Sequence, residues 1–99
     1  MTFNSFYPLI KTGTYTGDDT PNRPIPHLLS TIPKIVIIRN PTYRVFMLFY
    51  NSPASIMQIG ADSYAVTPMN SLSFYVGNAT EYAQSANFNG VFYCWIAIG

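Results

Sequence analysis

Charged side chains are scarce in this 99-residue sequence, at 9% of residues, against roughly 25% in an ordinary soluble domain. The net charge is +1, which predicts no strong attraction to nucleic acid or to an anionic membrane surface. No apolar run approaches the roughly 18 residues that a membrane span needs. The sequence therefore predicts neither nucleic-acid binding nor membrane insertion.

Histidine and cysteine occur once each, as His27 and Cys94, so one chain can form neither a disulfide nor a structural zinc site. Catalysis needs titratable groups that lie close together, and only four carboxylates accompany this pair. We expect His27 to be a turn or interface residue and Cys94, inside an apolar run, to be a buried and inert thiol. No catalytic residue, no metal site and no cofactor is predicted, and we do not expect an enzyme.

Apolar residues, in contrast, make up 48% of the chain, and aromatic residues 16%. The densest apolar run is 91–98, Val-Phe-Tyr-Cys-Trp-Ile-Ala-Ile. In a strand, its odd-numbered side chains would point to one face and its even-numbered side chains to the other, and both sets are apolar. A small domain can bury one such face in its own core, whereas the second face needs another sheet or another chain. We therefore predict an oligomer; a monomer with a surface of Asn, Ser and Thr is the alternative.

Short β-branched and aromatic runs alternate with turn residues along the chain. This pattern predicts strands at 11–17, 34–39, 44–50, 55–59, 63–67, 71–76 and 91–98. The stretch 21–33 contains four prolines, which predicts an edge strand or an extended crossing connection. Residues 1–10 are interpreted as an N-terminal arm or edge strand, and 77–90 as a long loop. The whole pattern predicts one all-β domain over 1–99, a small antiparallel β-sandwich of about six to eight short strands.

Three short blocks carry a family pattern. They are Gly-Thr-Tyr-Thr-Gly-Asp at 13–18, Ile-Pro-Lys-Ile-Val-Ile-Ile at 32–38, and Asn-Gly at 89–90 followed by Tyr-Cys-Trp-Ile-Ala-Ile-Gly at 93–99. Together, in this order, they resemble the C-terminal β-domain of bacteriophage tail fibres and related virion proteins. The sequence departs from that family at Asp19, where the family has a turn glycine, and at 27–31, which lacks the glycine before the Pro-Lys element.

This resemblance implies a homotrimer and a non-enzymatic role in the virion. The first five residues lack the basic start and apolar core of a secretory signal, so we expect the protein to be made in the host cytoplasm. The implied function is host-surface attachment or tail assembly, with other copies of the chain and other virion proteins as partners. The alternative is a capsid decoration (cement) protein that stabilises the phage head by clamping neighbouring capsomers.

Two groups of residues are candidates for contacts. The apolar strand faces predict an oligomer interface formed by Phe49, Phe92, Tyr93, Trp95, Ile96 and Ile98. A tyrosine on a loop offers a flat apolar ring for a sugar together with a polar tip. A host-cell glycan is therefore one hypothesis for the loop residues Tyr64, Asn78, Tyr82, Gln84 and Asn87. The alternative is that these side chains fill gaps between strands or subunits.

Overall fold

A computed structural model describes residues 9–41, 44–52, 54–78 and 81–99. In these residues the chain forms eight short strands and one 3₁₀ turn, Tyr82–Gln84. The strands are β1 (Ile10–Thr16), β2 (Arg23–Pro26), β3 (Ile35–Arg39), β4 (Val45–Asn51), β5 (Ala54–Ile59), β6 (Asp62–Val66), β7 (Ser73–Val76) and β8 (Phe92–Ile98). The prediction of an all-β antiparallel fold is confirmed, and β2 lies in the proline-rich stretch. Of the predicted arm, residues 1–8 lie outside the described residues.

The strands form two antiparallel sheets. The larger has six strands in the order β1-β8-β3-β4-β5-β6, and the smaller pairs β2 with β7. Strands β3 to β6 pair in sequence order, and only a few residues separate each strand from the next. Strand β8 lies between β1 and β3, so it is an interior strand with a neighbour on either side.

The core lies between the two sheets, on the face of the larger sheet that we call the inner face. Burial alternates along the strands, as in β8, where odd-numbered residues are the more buried. Phe74 of β7 packs edge-to-face on Trp95 with ring centroids 5.4 Å apart. Tyr15 stacks on Tyr93 at 5.1 Å, and burial raises the pKa of both phenols. The small sheet thus covers one face of the large sheet, and the core lies between the two.

Close packing explains the two glycines of the block at 13–18. Gly13 is the cross-strand partner of Trp95, and a Cβ added at Gly13 would lie 2.5 Å from the indole ring. At Gly17 a Cβ would collide with the carbonyl oxygen of Phe88. Both glycines are therefore required by close packing, the first against a side chain and the second against the backbone of another segment.

Candidate functional site

The other side of the six-stranded sheet, which we call the outer face, carries aligned rows of side chains. The strand register fixes these rows, because directly paired residues point to the same side of a sheet. The first row crosses all six strands and is apolar throughout: Ile10, Ile98, Ile35, Phe49, Ile56 and Ala65. The second row is Thr12, Ile96, Ile37, Met47, Gln58 and Ser63. The third row is Thr14, Cys94, Arg39 and Val45.

No second layer covers this outer face within the described ranges, since the β2–β7 sheet packs on the inner face. Ile10 remains 50% exposed, Phe92 47% and Val45 44%. Most other apolar side chains of the face are half-buried, because they pack sideways against their neighbours on adjacent strands. Exposed apolar surface that is contiguous in this way is typical of interaction sites.

The surface of the outer face is not flat. A hollow of about 450 Å³ lies over β1, β8 and β3. Ile37 and Ile96 line it on the apolar side, and Thr12, Thr14 and Arg39 are its polar lining residues. In the described strands, Arg39 is the one charged side chain that the register places on this face.

Cys94 is exposed on the outer face, and the expectation of a buried thiol was wrong. Strand β8 is apolar on both sides, but only its odd-numbered side turns toward the β2–β7 layer. Cys94 lies in the third row, directly opposite Arg39 on one side and Thr14 on the other.

The residues predicted for an oligomer interface divide between the two faces. Phe49, Phe92, Ile96 and Ile98 lie on the outer face, whereas Tyr93 and Trp95 are only 1% and 7% exposed. Tyr93 and Trp95 therefore belong to the core of the chain itself, because successive side chains of one strand cannot share a face. The predicted set also lacked Ile35, Ile37, Met47 and Ile56. Strands β3 and β4, like β8, are apolar at successive positions, and this was the signal that could have identified Ile35, Ile37 and Met47.

Among the predicted glycan residues, Tyr64 lies in strand β6 and not in a loop, so that expectation was wrong. Its side chain reaches the 3₁₀ turn. The Tyr64 hydroxyl donates a hydrogen bond to the backbone oxygen of Gln84 at 2.6 Å and lies 3.0 Å from Sδ of Met57. Burial raises the pKa of Tyr64 to about 12. Tyr64 therefore holds the loop that contains Tyr82 and Gln84 against β6.

The side chains of Asn87 and Asn78 form hydrogen bonds within the chain. Asn87 is fully buried, and its Nδ2 donates to the Thr20 carbonyl at 2.8 Å and to Oδ1 of Asp18 at 3.0 Å. Its Oδ1 accepts from the backbone N–H of Asp18 and from Arg23, both at 3.2 Å. Asn78 Oδ1 accepts from the backbone N–H of Thr67 at 3.1 Å. These amides fix loops, and Asn87 has no surface to offer a sugar.

Asp18 lies at the exposed rim of the Asn87 cluster. Hydrogen bonds from Thr20 hold the pKa of its carboxyl below the usual value, with Asn87 and the Arg23 guanidinium acting in the same direction. Arg23 Nη1 is 3.5 Å from Oδ2 of Asp18. The block at 13–18 thus ends in a turn, in which the carboxylates of Asp18 and Asp19 accept hydrogen bonds from the loop before β8.

His27 is fully buried with both ring nitrogens engaged. Nε2 lies 2.8 Å from the carbonyl oxygen of Asn70, and Nδ1 accepts the backbone N–H of Leu29 at 3.1 Å. An acceptor at one nitrogen and a donor at the other select the neutral ring protonated on Nε2. His27 therefore joins the turn after β2 to the turn before β7.

Within the described residues, no group of three or more His, Cys, Asp and Glu side chains is placed to hold a metal ion. None of the helical segments described is long and apolar enough to cross a membrane. No family model, curated protein or solved structure matches this chain. The resemblance to tail-fibre domains accordingly stays a prediction.

Proposed function

We propose that this chain is a non-enzymatic structural protein of a bacteriophage virion, a tail-fibre-type module that acts in host-surface attachment or tail assembly as a homotrimer. One observation carries the proposal: the three sequence blocks that resemble tail-fibre domains form neighbouring strands. The block at 13–18 contributes to β1, the block at 93–99 to β8 and the block at 32–38 to β3, and these strands are adjacent in the order β1-β8-β3.

The blocks also depend on one another physically. Gly13 leaves the space that the Trp95 ring occupies, and Trp95 pairs with Ile38 on its other side. Residues that are distant in sequence therefore constrain one another through direct packing. This supports the interpretation of the three short matches as one structural unit rather than as independent coincidences.

The outer face supports the structural part of the proposal. Apolar rows on a charge-poor sheet suit permanent burial against other protein, as obligate interfaces require. A virion protein finds such partners in its own copies and in neighbouring virion proteins. The glycan part of the hypothesis now rests on Tyr64, Tyr82 and Gln84, since Asn87 is buried and Asn78 Oδ1 accepts hydrogen bonds from Thr67.

The test is the location of the protein in purified phage particles. Quantitative mass spectrometry gives its copy number relative to the major capsid protein, and immunogold electron microscopy gives its place. We expect a low copy number and gold label on the tail. A copy number near that of the capsid protein, with label over the head, would instead establish the decoration alternative. Absence from the particles would overturn a virion role altogether.

A further inference from the structure

We infer that the hollow over β1, β8 and β3 binds a small amphipathic anion, a molecule with a short aliphatic body and one carboxylate. This goes beyond the proposed function and does not rest on it, because the site belongs to the single chain wherever that chain is located. The hollow lies over the second and third rows of the outer face. A ligand there leaves the first row available for contacts with other protein.

Small side chains create the hollow. Thr12 and Thr14 on β1 and Cys94 on β8 are among the residues that line it. Gly13 has no side chain and lines it as well, so the hollow reaches the backbone of β1 between the two threonines. Its volume of about 450 Å³ is within the range of about 300 to 1,000 Å³ that is typical of small-molecule sites. The three strands beneath it span about 10 Å at about 4.8 Å between neighbours, so the ligand must be short.

The apolar part of the lining favours an aliphatic body. Ile37 and Ile96 are cross-strand partners, and both are half-buried. A ligand over them would remove the apolar surface that they still expose from water. A sugar, in contrast, presents many hydroxyl groups, and the polar side chains of the lining are limited to the two threonines and Arg39. The lining therefore suits an aliphatic body better than a glycan.

Arg39 provides the selectivity for an anion. In the part of the chain that the structure describes, its guanidinium has no hydrogen-bond or ion-pair partner. None of the four carboxylates of the chain lines the hollow, so the positive charge there is not neutralised. A guanidinium binds a carboxylate through two parallel N–H···O bonds, and the attraction is stronger beside an apolar surface than in bulk water. A cation with the same aliphatic body would be repelled.

Binding is measured on the purified full chain by titrating octanoate and recording the backbone amide signals in heteronuclear NMR spectra. Octylammonium is the matched probe, because it has the same aliphatic chain with a cation in place of the carboxylate. The amide signals of Gly13, Cys94 and Ile96 should shift on binding, because these residues line the hollow. The same spectra report whether each variant is folded.

Four variants separate the effect of the charge from that of the space. Arg39→Gln removes the cation, and Arg44→Gln is its control, because Arg44 is exposed and does not line the hollow. Thr14→Leu fills the hollow and keeps Arg39. Thr16→Leu is its control, because Thr16 lies on the same strand and the same face outside the lining.

We expect wild type to bind octanoate at least about tenfold more tightly than octylammonium. Arg39→Gln should weaken octanoate binding at least about tenfold and remove the preference between the two probes. Thr14→Leu should weaken octanoate binding as well, because the larger side chain occupies the space of the aliphatic body. Both control variants should match wild type.

Three results would overturn the inference. Equal affinity of wild type for the two probes would show that the hollow does not select an anion. Undiminished octanoate binding by Arg39→Gln or Thr14→Leu, or amide shifts confined to residues outside the hollow, would show that octanoate binds elsewhere. An octanoate titration without any shift at millimolar concentration would show that the hollow holds no such ligand. None of these results alters the outcome expected in purified particles, so the proposed function is tested separately.

Discussion

Replacing Asn87 with alanine tests whether this residue is a structural anchor or a ligand contact. The buried side-chain amide donates three hydrogen bonds from Nδ2 and accepts two at Oδ1. Each bond contributes about 1 kcal/mol net, and the groups left behind are difficult to solvate. Asn87→Ala should therefore lower the free energy of unfolding by about 3 to 4 kcal/mol. That is a large part of the stability of a domain of this size.

Urea unfolding followed by tryptophan fluorescence measures this change, since Trp95 lies in the core. Asn89→Ala is the control, because Asn89 is exposed in the same loop, and its change should stay within about 0.5 kcal/mol. Equal destabilisation by the two substitutions would refute the reasoning. A further refutation would be an Asn87→Ala protein with wild-type stability and a specific loss of binding to host cells.

Further predictions concern the packing of the first block, the pH response and the glycan hypothesis. Gly13→Ala should destabilise the fold, because its Cβ would lie 2.5 Å from the Trp95 ring. In a double-mutant cycle with Trp95→Phe, the two changes in unfolding free energy should not be additive, and additivity would contradict the contact. The folded-state pKa of Asp18 is below its usual value of 3.8. The stability that Asp18 contributes is therefore present above pH 3.8 and is lost as the pH falls through the folded pKa. The unfolding free energy of Asp18→Asn should fall less steeply with decreasing pH in the acid range than that of wild type, and an unchanged slope would refute the assignment. If a host glycan contacts the 3₁₀ turn, replacing Tyr64 and Tyr82 together with alanine should abolish adsorption to host cells, and undiminished adsorption of a folded variant would eliminate that contact.

Most strand positions could be predicted from sequence because short β-branched and aromatic runs are bounded by turn residues. The stretch 34–39 is an example: a β-branched run between a lysine and an arginine, observed as β3. The order of the strands could not be predicted in the same way. The pairing of β1 with β8, and of β8 with β3, joins segments that are far apart in sequence, and local patterns carry no information on such partners.

The candidate site could be predicted only in part, for two physical reasons. An apolar run on both faces of β8 indicated that two surfaces must be covered, but not which of them the chain covers itself. That choice depends on where β2 and β7 pack, and it places Trp95 inside and Cys94 outside. Asn87 was misjudged because polar residues in a loop resemble a binding surface until their hydrogen-bond partners are known.

Because β8 is an interior strand, the outer face is complete only when folding is complete. Strand β1 precedes its only neighbour in the large sheet by almost the whole described chain, so it stays unpaired until β8 has been made and has inserted. Such long-range pairing is slow, and it exposes unpaired strand edges meanwhile. The first and second rows also lack Ile98 and Ile96 before that step. A chain that has not finished folding therefore presents an incomplete outer face, whatever that face contacts in the finished protein.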